Sequence, residues 1–204
     1  GGGNASGIDR ESGTVVIKPS GIDYNEMTPD HMVVTDIDGR TLDNRYKPSS
    51  DLDTHTALYR AFPSIGGVVH THSTYATIMA QSLTPITPLG TTHADYFHGE
   101  IPVTRHLTPE EITSGYVAAT GALIVETFKD RDPLEVPAVL VAGHGPFVWG
   151  RTTEEAVFNA FILEEVARMA WHSMVINPDL KPIPNSLLDQ HYFRKHGAGA
   201  TYGQ

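Results

Sequence analysis

Cysteine is absent from this 204-residue sequence. Its absence excludes disulfides, thiolate metal sites and a thiol nucleophile. Positive charge is sparse: 14 Lys and Arg stand against 24 Asp and Glu, a formal net charge of −10. Bulk electrostatics therefore argue against a nucleic acid or an anionic membrane as partner. An anionic substrate would need a local cationic pocket set against that field. No apolar run approaches the ~18 residues of a membrane span, and no signal peptide is visible at the start. The missing thiols fit a cytoplasmic location. Internal repeats and low-complexity segments are also lacking.

What is present suits one globular domain over 1–204, with 40% hydrophobic residues. Histidine is plentiful at 11 residues, so its clustering matters. Gly66-Gly67-Val68-Val69-His70-Thr71-His72-Ser73 reads as a glycine turn, then a buried strand ending in two histidines. Strand side chains alternate faces, so His70 and His72 point to the same side. Two imidazoles so placed form half of a metal site, although two histidines can simply end a strand. Ala138 to Ala142 is a second apolar run, and it ends in Gly143-His144-Gly145-Pro146. His144, with room left by its flanking glycines, is the expected third ligand. A His-only set with an open position is the catalytic zinc pattern. Asp51 is the expected fourth ligand or supporting carboxylate; its plainer role is the first turn of a helix.

Three polar turns form a second constellation: Asn4 with Ser6, then Lys18, Ser20 and Gly21, then Ser49 and Ser50. Ser50 caps a helix expected to run to about Phe62, and free N–H groups at a helix start attract phosphate. Lys18 supplies a point charge. A phosphorylated substrate is the expectation. A third set is acid–base: Asp95 lies in the polar segment Gly90 to Phe97, and Tyr202 in the C-terminal tail.

Further strands are expected at Thr14 to Ile17, His31 to Ile37, Ile101 to Arg105 and Phe147 to Trp149. Further helices are expected over Ser73 to Gln81, from the capping box Thr108-Pro109-Glu110-Glu111, from Thr152 to about Val175, and over Ser186 to Lys195. Interleaved strands and helices predict an α/β or α+β layered domain with a largely antiparallel or mixed sheet.

The segments GNASGIDRESG, VIKPSGIDY, KPSSD, FPSIGGVVHTHS, GTTHADYF, GHGPFVWG and LLDQHYFRKHGAGATYGQ resemble the L-ribulose-5-phosphate 4-epimerase family. That family lies within the class II aldolase and sugar-phosphate epimerase superfamily. The resemblance spans the chain, with the motifs in one order. It implies an α/β fold of three layers, a central mostly antiparallel sheet flanked by helices. It also implies a cytoplasmic homotetramer with interface active sites, a place in arabinose catabolism, and zinc or another divalent transition metal.

Carried over by position, His70, His72 and His144 match zinc ligands, and Asp51 matches the adjacent carboxylate. Asn4, Lys18, Ser20, Gly21, Ser49 and Ser50 match the phosphate pocket. Asp95 and Tyr202 match the acid–base pair. Tyr202, Thr91 and His191 match residues contributed by the neighbouring subunit. The reaction implied is retro-aldol cleavage at C3–C4 of L-ribulose 5-phosphate and re-addition to give D-xylulose 5-phosphate.

Three departures stand out. The family has a helical segment ahead of the GN-x-S turn, whereas this chain starts inside that turn. Ala142-Gly143 stands where a second histidine is expected near His144, and Val117 where some members carry an acid. Two rivals share the resemblance. Fuculose-phosphate aldolases resemble KPSSE where this chain has Asp51, and adducin heads keep the fold as a non-catalytic interaction module.

Overall fold

The computed structural model describes residues 2–43 and 45–201. Six strands form one sheet in the order β3-β2-β1-β4-β6-β5: β1 (Gly3–Asp9), β2 (Thr14–Ile17), β3 (Val33–Asp36), β4 (Gly67–Thr71), β5 (Ala138–Val141) and β6 (Gly145–Gly150). Every adjacent pair is antiparallel. Six helices accompany them among the described residues: α1 (Leu52–Ala61), α2 (Thr74–Gln81), α3 (Thr91–Tyr96), α4 (Pro109–Thr127), α5 (Thr153–Ile176) and α6 (Asn185–His196).

Strand alternation divides the core in two. Val139, Val141, Phe147 and Trp149 face one way and pack with Leu58 and Tyr59 of α1, Phe62 just beyond it, and Ile124 of α4. Ala138, Leu140 and Val148 face the other way, onto Met79 and Ala80 of α2 and Leu163 and Val166 of α5. Both faces are covered, which is why β5 and β6 read as continuous apolar runs. The result is the expected three-layer arrangement in one domain.

Several local expectations change. Gly3 to Gly7, read as a turn, is a strand in the middle of the sheet, between β2 and β4. Its Gly, Asn and Ser residues have weak strand propensity, and the sheet position overrides it. The Gly66-Gly67 pair is a close approach rather than a turn. Gly7, Gly67 and Gly150 lie in register across β1, β4 and β6, and the first turn of α5 crosses over them. A Cβ on Gly67 would meet Thr153 Cα at 2.6 Å, and one on Gly150 would meet Ala156 N at 2.7 Å. Ile101 to Arg105 makes only two single bridges, to Ile86 and to Leu140. Gly90 to Phe97 contains the short helix α3. The cap of α1 is Asp51, one residue beyond Ser50. The Thr108 box forms as expected: Thr108 Oγ1 accepts from Glu111 N, and Glu111 accepts from Thr108 N. Gly115, at φ 155°, breaks α4 into two segments.

One carboxylate organises the start of α2. Glu164 of α5 accepts from the N–H groups of Tyr75 and Ala76 at 2.8 and 2.9 Å, so the positive end of α2 is already neutralised. The outward face of α5 stays apolar, with Val157, Phe158, Phe161, Met169, Val175 and Ile176 exposed.

Candidate metal and anion site

Three histidines converge where β4 ends and β6 begins. His70 Nε2 lies 3.1 Å from His72 Nε2, and His144 Nε2 lies 3.0 Å from the same atom. One nitrogen from each fits within 4.8 Å. Tetrahedral zinc with bonds of roughly 2.05 Å would set imidazole nitrogens about 3.3 Å apart, so the donor set fits a divalent metal with little rearrangement. The approach follows from the sheet: His70 pairs with Phe147 across β4 and β6, and the tight turn between β5 and β6 holds His144.

The tautomer of His70 is set by its surroundings. Its Nδ1 donates to the carbonyl of Pro146 at 2.9 Å; a carbonyl only accepts, so Nε2 carries the lone pair. Such outer hydrogen bonds orient a ligand and raise its basicity. Burial pushes the His70 pKa down to about 4, and burial also lowers that of His144. Both rings are therefore neutral and ready to ligate at neutral pH. His144 Nδ1 lies 2.9 Å from the hydroxyl of Tyr116. Asp51 stands beside the triad, with Oδ2 3.9 Å from His70 Nε2, and it accepts from Asn4 Nδ2 at 2.6 Å.

The three histidines and Asp51 share one cavity of about 220 Å³ with Asn4, Lys18, Ser20, Gly21, Ser49 and Ser50. Sequence-distant turns meet there because their backbones are zipped together. Ser20 N donates to Lys47 O, Ser49 N donates to Lys18 O, and Pro19 bridges Pro48. Lys18 Nζ lies over the Tyr24 ring and donates to Pro19 O, poised at the rim. Asn4 gives an amide hydrogen to Asp51. Ser6, expected with this anion set, does not join it: Asn4 and Ser6 share a face of β1, and Ser6 Oγ is buried against His55 and Tyr59 of α1.

Asp95 lies elsewhere, on α3. Its carboxylate faces α6: His191 Nδ1 is 3.0 Å away, Arg194 Nη2 3.3 Å and Lys195 Nζ 3.9 Å. Thr91 starts the same helix. None of these residues lines the triad cavity. Tyr202 lies outside the described residues. The described residues thus hold two separate clusters, the histidine triad with its polar turns and the Asp95 group on α3 and α6. Sequence reasoning missed Tyr116, Arg194 and His55. His70 and His144 are signalled by strand ends, whereas these three gain meaning only from partners 28 to 99 residues away.

The model of the Class II Aldolase and Adducin N-terminal domain matches residues 1–171. The chain belongs to this family. It is 55% identical over 202 residues to L-ribulose-5-phosphate 4-epimerase UlaF of Salmonella paratyphi A (strain ATCC 9150 / SARB42), covering 99% of this chain and 89% of that protein. The same identity and coverage hold for the protein of that name from Salmonella typhi. Among solved structures, an L-fuculose 1-phosphate aldolase superposes with a TM-score of 0.77 at 25% identity, covering 93% of this chain and 84% of that one. The antiparallel three-layer fold is therefore that of the class II aldolases, and its histidine triad is positioned to hold a divalent metal.

Proposed function

We propose that the protein is an L-ribulose-5-phosphate 4-epimerase, interconverting L-ribulose 5-phosphate and D-xylulose 5-phosphate. The near-full-length 55% identity to proteins of that name carries this reading. The cavity supports it by joining a metal triad to a cationic, N–H-rich turn cluster. Lys18, Ser20, Gly21, Ser49 and Ser50 take the phosphate, with the remaining Asn4 hydrogen beside them. His70, His72 and His144 hold a metal, zinc in our reading. When bound, that ion supplies Lewis-acid stabilisation of the oxyanion that develops as C3–C4 breaks.

The chain's own residues handle protons and orientation. A base takes the C4 hydroxyl proton, the C3–C4 bond breaks, and the fragments are a dihydroxyacetone enediolate and glycolaldehyde phosphate. The aldehyde turns its other face, the bond re-forms, and a proton returns to the new C4 oxygen. The two epimers point that oxygen in opposite directions, so two proton carriers on opposite sides are needed. Asp95 and Tyr202 take those roles from a neighbouring subunit. Two observations support an interface site: Asp95, His191 and Arg194 cluster away from the triad, and α5 has an uncovered apolar face. A homotetramer in the cytoplasm is the assembly and location we infer.

A coupled assay with L-ribulose 5-phosphate, with and without a chelator, tests the reading. Chelator-sensitive formation of D-xylulose 5-phosphate is expected. Release of glycolaldehyde phosphate without epimer would make the protein an aldolase. No turnover by metal-loaded protein would point to another substrate or to a non-catalytic role.

A further inference from the structure

Behind the metal triad a line of buried polar side chains runs from α1 through β1 to Asp51. Tyr59 Oη lies 2.8 Å from Ser6 Oγ, and Ser6 Oγ 2.6 Å from His55 Nδ1. His55 Nε2 lies 2.5 Å from Asn4 Oδ1, and Asn4 Nδ2 2.6 Å from Asp51 Oδ2. Tyr59, Ser6 and His55 are all buried. A polar chain inside a core is costly unless every member is satisfied. Here each member is satisfied by the next.

The direction of the chain follows from donor chemistry. A carboxylate only accepts, so Asp51 takes a hydrogen from the Asn4 amide nitrogen. That turns Asn4 Oδ1 towards His55. An amide oxygen also only accepts, so His55 donates from Nε2. Its Nδ1 is then the bare nitrogen and accepts from the Ser6 hydroxyl, and Ser6 Oγ accepts from Tyr59. All four donors point towards Asp51. Reversing one link would set two acceptors, or two donors, face to face in a dry interior. Burial keeps His55 neutral, as this polarity requires, with its pKa pushed down to about 3.

We propose that His55 is a positioning residue for the metal site: it locks the Asn4 amide with nitrogen towards Asp51, and so holds that carboxylate beside His70. Asp51 Oδ2 rests 3.9 Å from His70 Nε2, where a carboxylate raises the affinity of the neighbouring imidazoles for a cation. With His55 gone, the Asn4 amide is free to flip, and its oxygen would then repel Asp51. This rests on the reading of the triad as a divalent metal site.

The test is competitive titration of the protein with Zn²⁺ against a chromophoric chelator. His55→Leu, similar in bulk, is expected to weaken binding by about tenfold, as loss of an outer partner does elsewhere. His55→Gln keeps a donor for Asn4 and restores most of that loss. Ser6→Ala, which removes a single oxygen, weakens binding by a smaller factor and decides the matter if His55→Leu does not fold. In an Asp51→Asn background, His55→Leu adds no further loss. Wild-type affinity in both His55→Leu and Ser6→Ala overturns the proposal, and so does an undiminished loss in the Asp51→Asn background. Wild-type protein that binds no Zn²⁺ overturns the metal reading, and this inference with it.

Discussion

His70 Nδ1 donates to the backbone carbonyl of Pro146 at 2.9 Å, and that bond ties the tautomer of one triad histidine to the strand that follows another. Pro146 is in β6, two residues after His144. Any backbone slip between β4 and β6 would therefore rotate His70 and displace His144 together. A strained or missing ligand here should not be compensated by its neighbours.

His70→Asn shortens the side chain and removes the Nε2 that faces His72. We expect bound metal to fall by at least about a hundredfold in affinity and epimerisation to be lost. Metal content by elemental analysis, beside the coupled assay, checks this. Stoichiometric metal in an active His70→Asn protein would remove the triad from the chemistry.

Gly67→Ala tests the glycine row under α5. The added methyl would lie 2.6 Å from Thr153 Cα and 2.8 Å from Thr152 O, both backbone atoms. Backbone cannot rotate away as a flexible side chain can, so either the loop before α5 lifts or β4 shifts. A loss of about 2–3 kcal/mol in stability follows, in the upper part of the overpacking range. Urea denaturation measures it. A midpoint within error of wild type would mean that the first turn of α5 moves freely over the sheet.

Acid should weaken the fold in a defined window. Burial lowers the pKa of His55 to about 3 and that of His93 to about 4, against about 6.5 when unfolded. The unfolded chain therefore binds protons that the folded chain refuses. Their contribution is complete above about pH 6.5 and is lost as pH falls towards the folded values. Each histidine adds a slope of about 1.4 kcal/mol per pH unit within the window. His93 Nε2 donates to Gly99 O at 2.6 Å, and its Nδ1 has no hydrogen-bond partner among the described residues. His93→Gln can keep the donor and removes the titration. Urea midpoints at pH 7.5, 6 and 5 in chelator should show a shallower pH dependence for this variant. An identical profile would clear His93 of any part in acid sensitivity.

The histidine triad was legible because its information is local. His70 and His72 share a face by strand periodicity, and His144 sits where an apolar run meets glycine. Lys18-Pro19-Ser20-Gly21 and Lys47-Pro48-Ser49-Ser50 are each readable as polar turns, though not that they meet. The Ser20–Lys47 and Ser49–Lys18 backbone bonds make them meet. Less legible was β1. Gly3, Asn4, Ser6 and Gly7 look like a turn, and their strand state comes from pairing with β2 and β4 on either side. His55 looked like an ordinary helix residue; its partners Ser6 and Asn4 are 49 and 51 positions away. The break at Gly115 was hidden inside an unbroken helical pattern.

The separation of Asp95 from the histidine triad bears on assembly under the proposed function. Asp95 is held on α3 by His191 and Arg194 of α6, and neither helix contributes to the cavity of His70, His72 and His144. If each working site joins the metal half of one subunit to the acid–base half of another, two dead variants can rescue each other. His70→Asn spoils only the metal half and Asp95→Asn only the acid–base half. Unfolded together and refolded as mixed oligomers, they should regain up to about a quarter of wild-type activity, because random pairing leaves both halves intact at one interface in four. Each variant refolded alone stays inactive. A mixture no more active than its components would mean that both halves of a site come from one chain, and α3 and α6 would then have to move towards the triad to complete it.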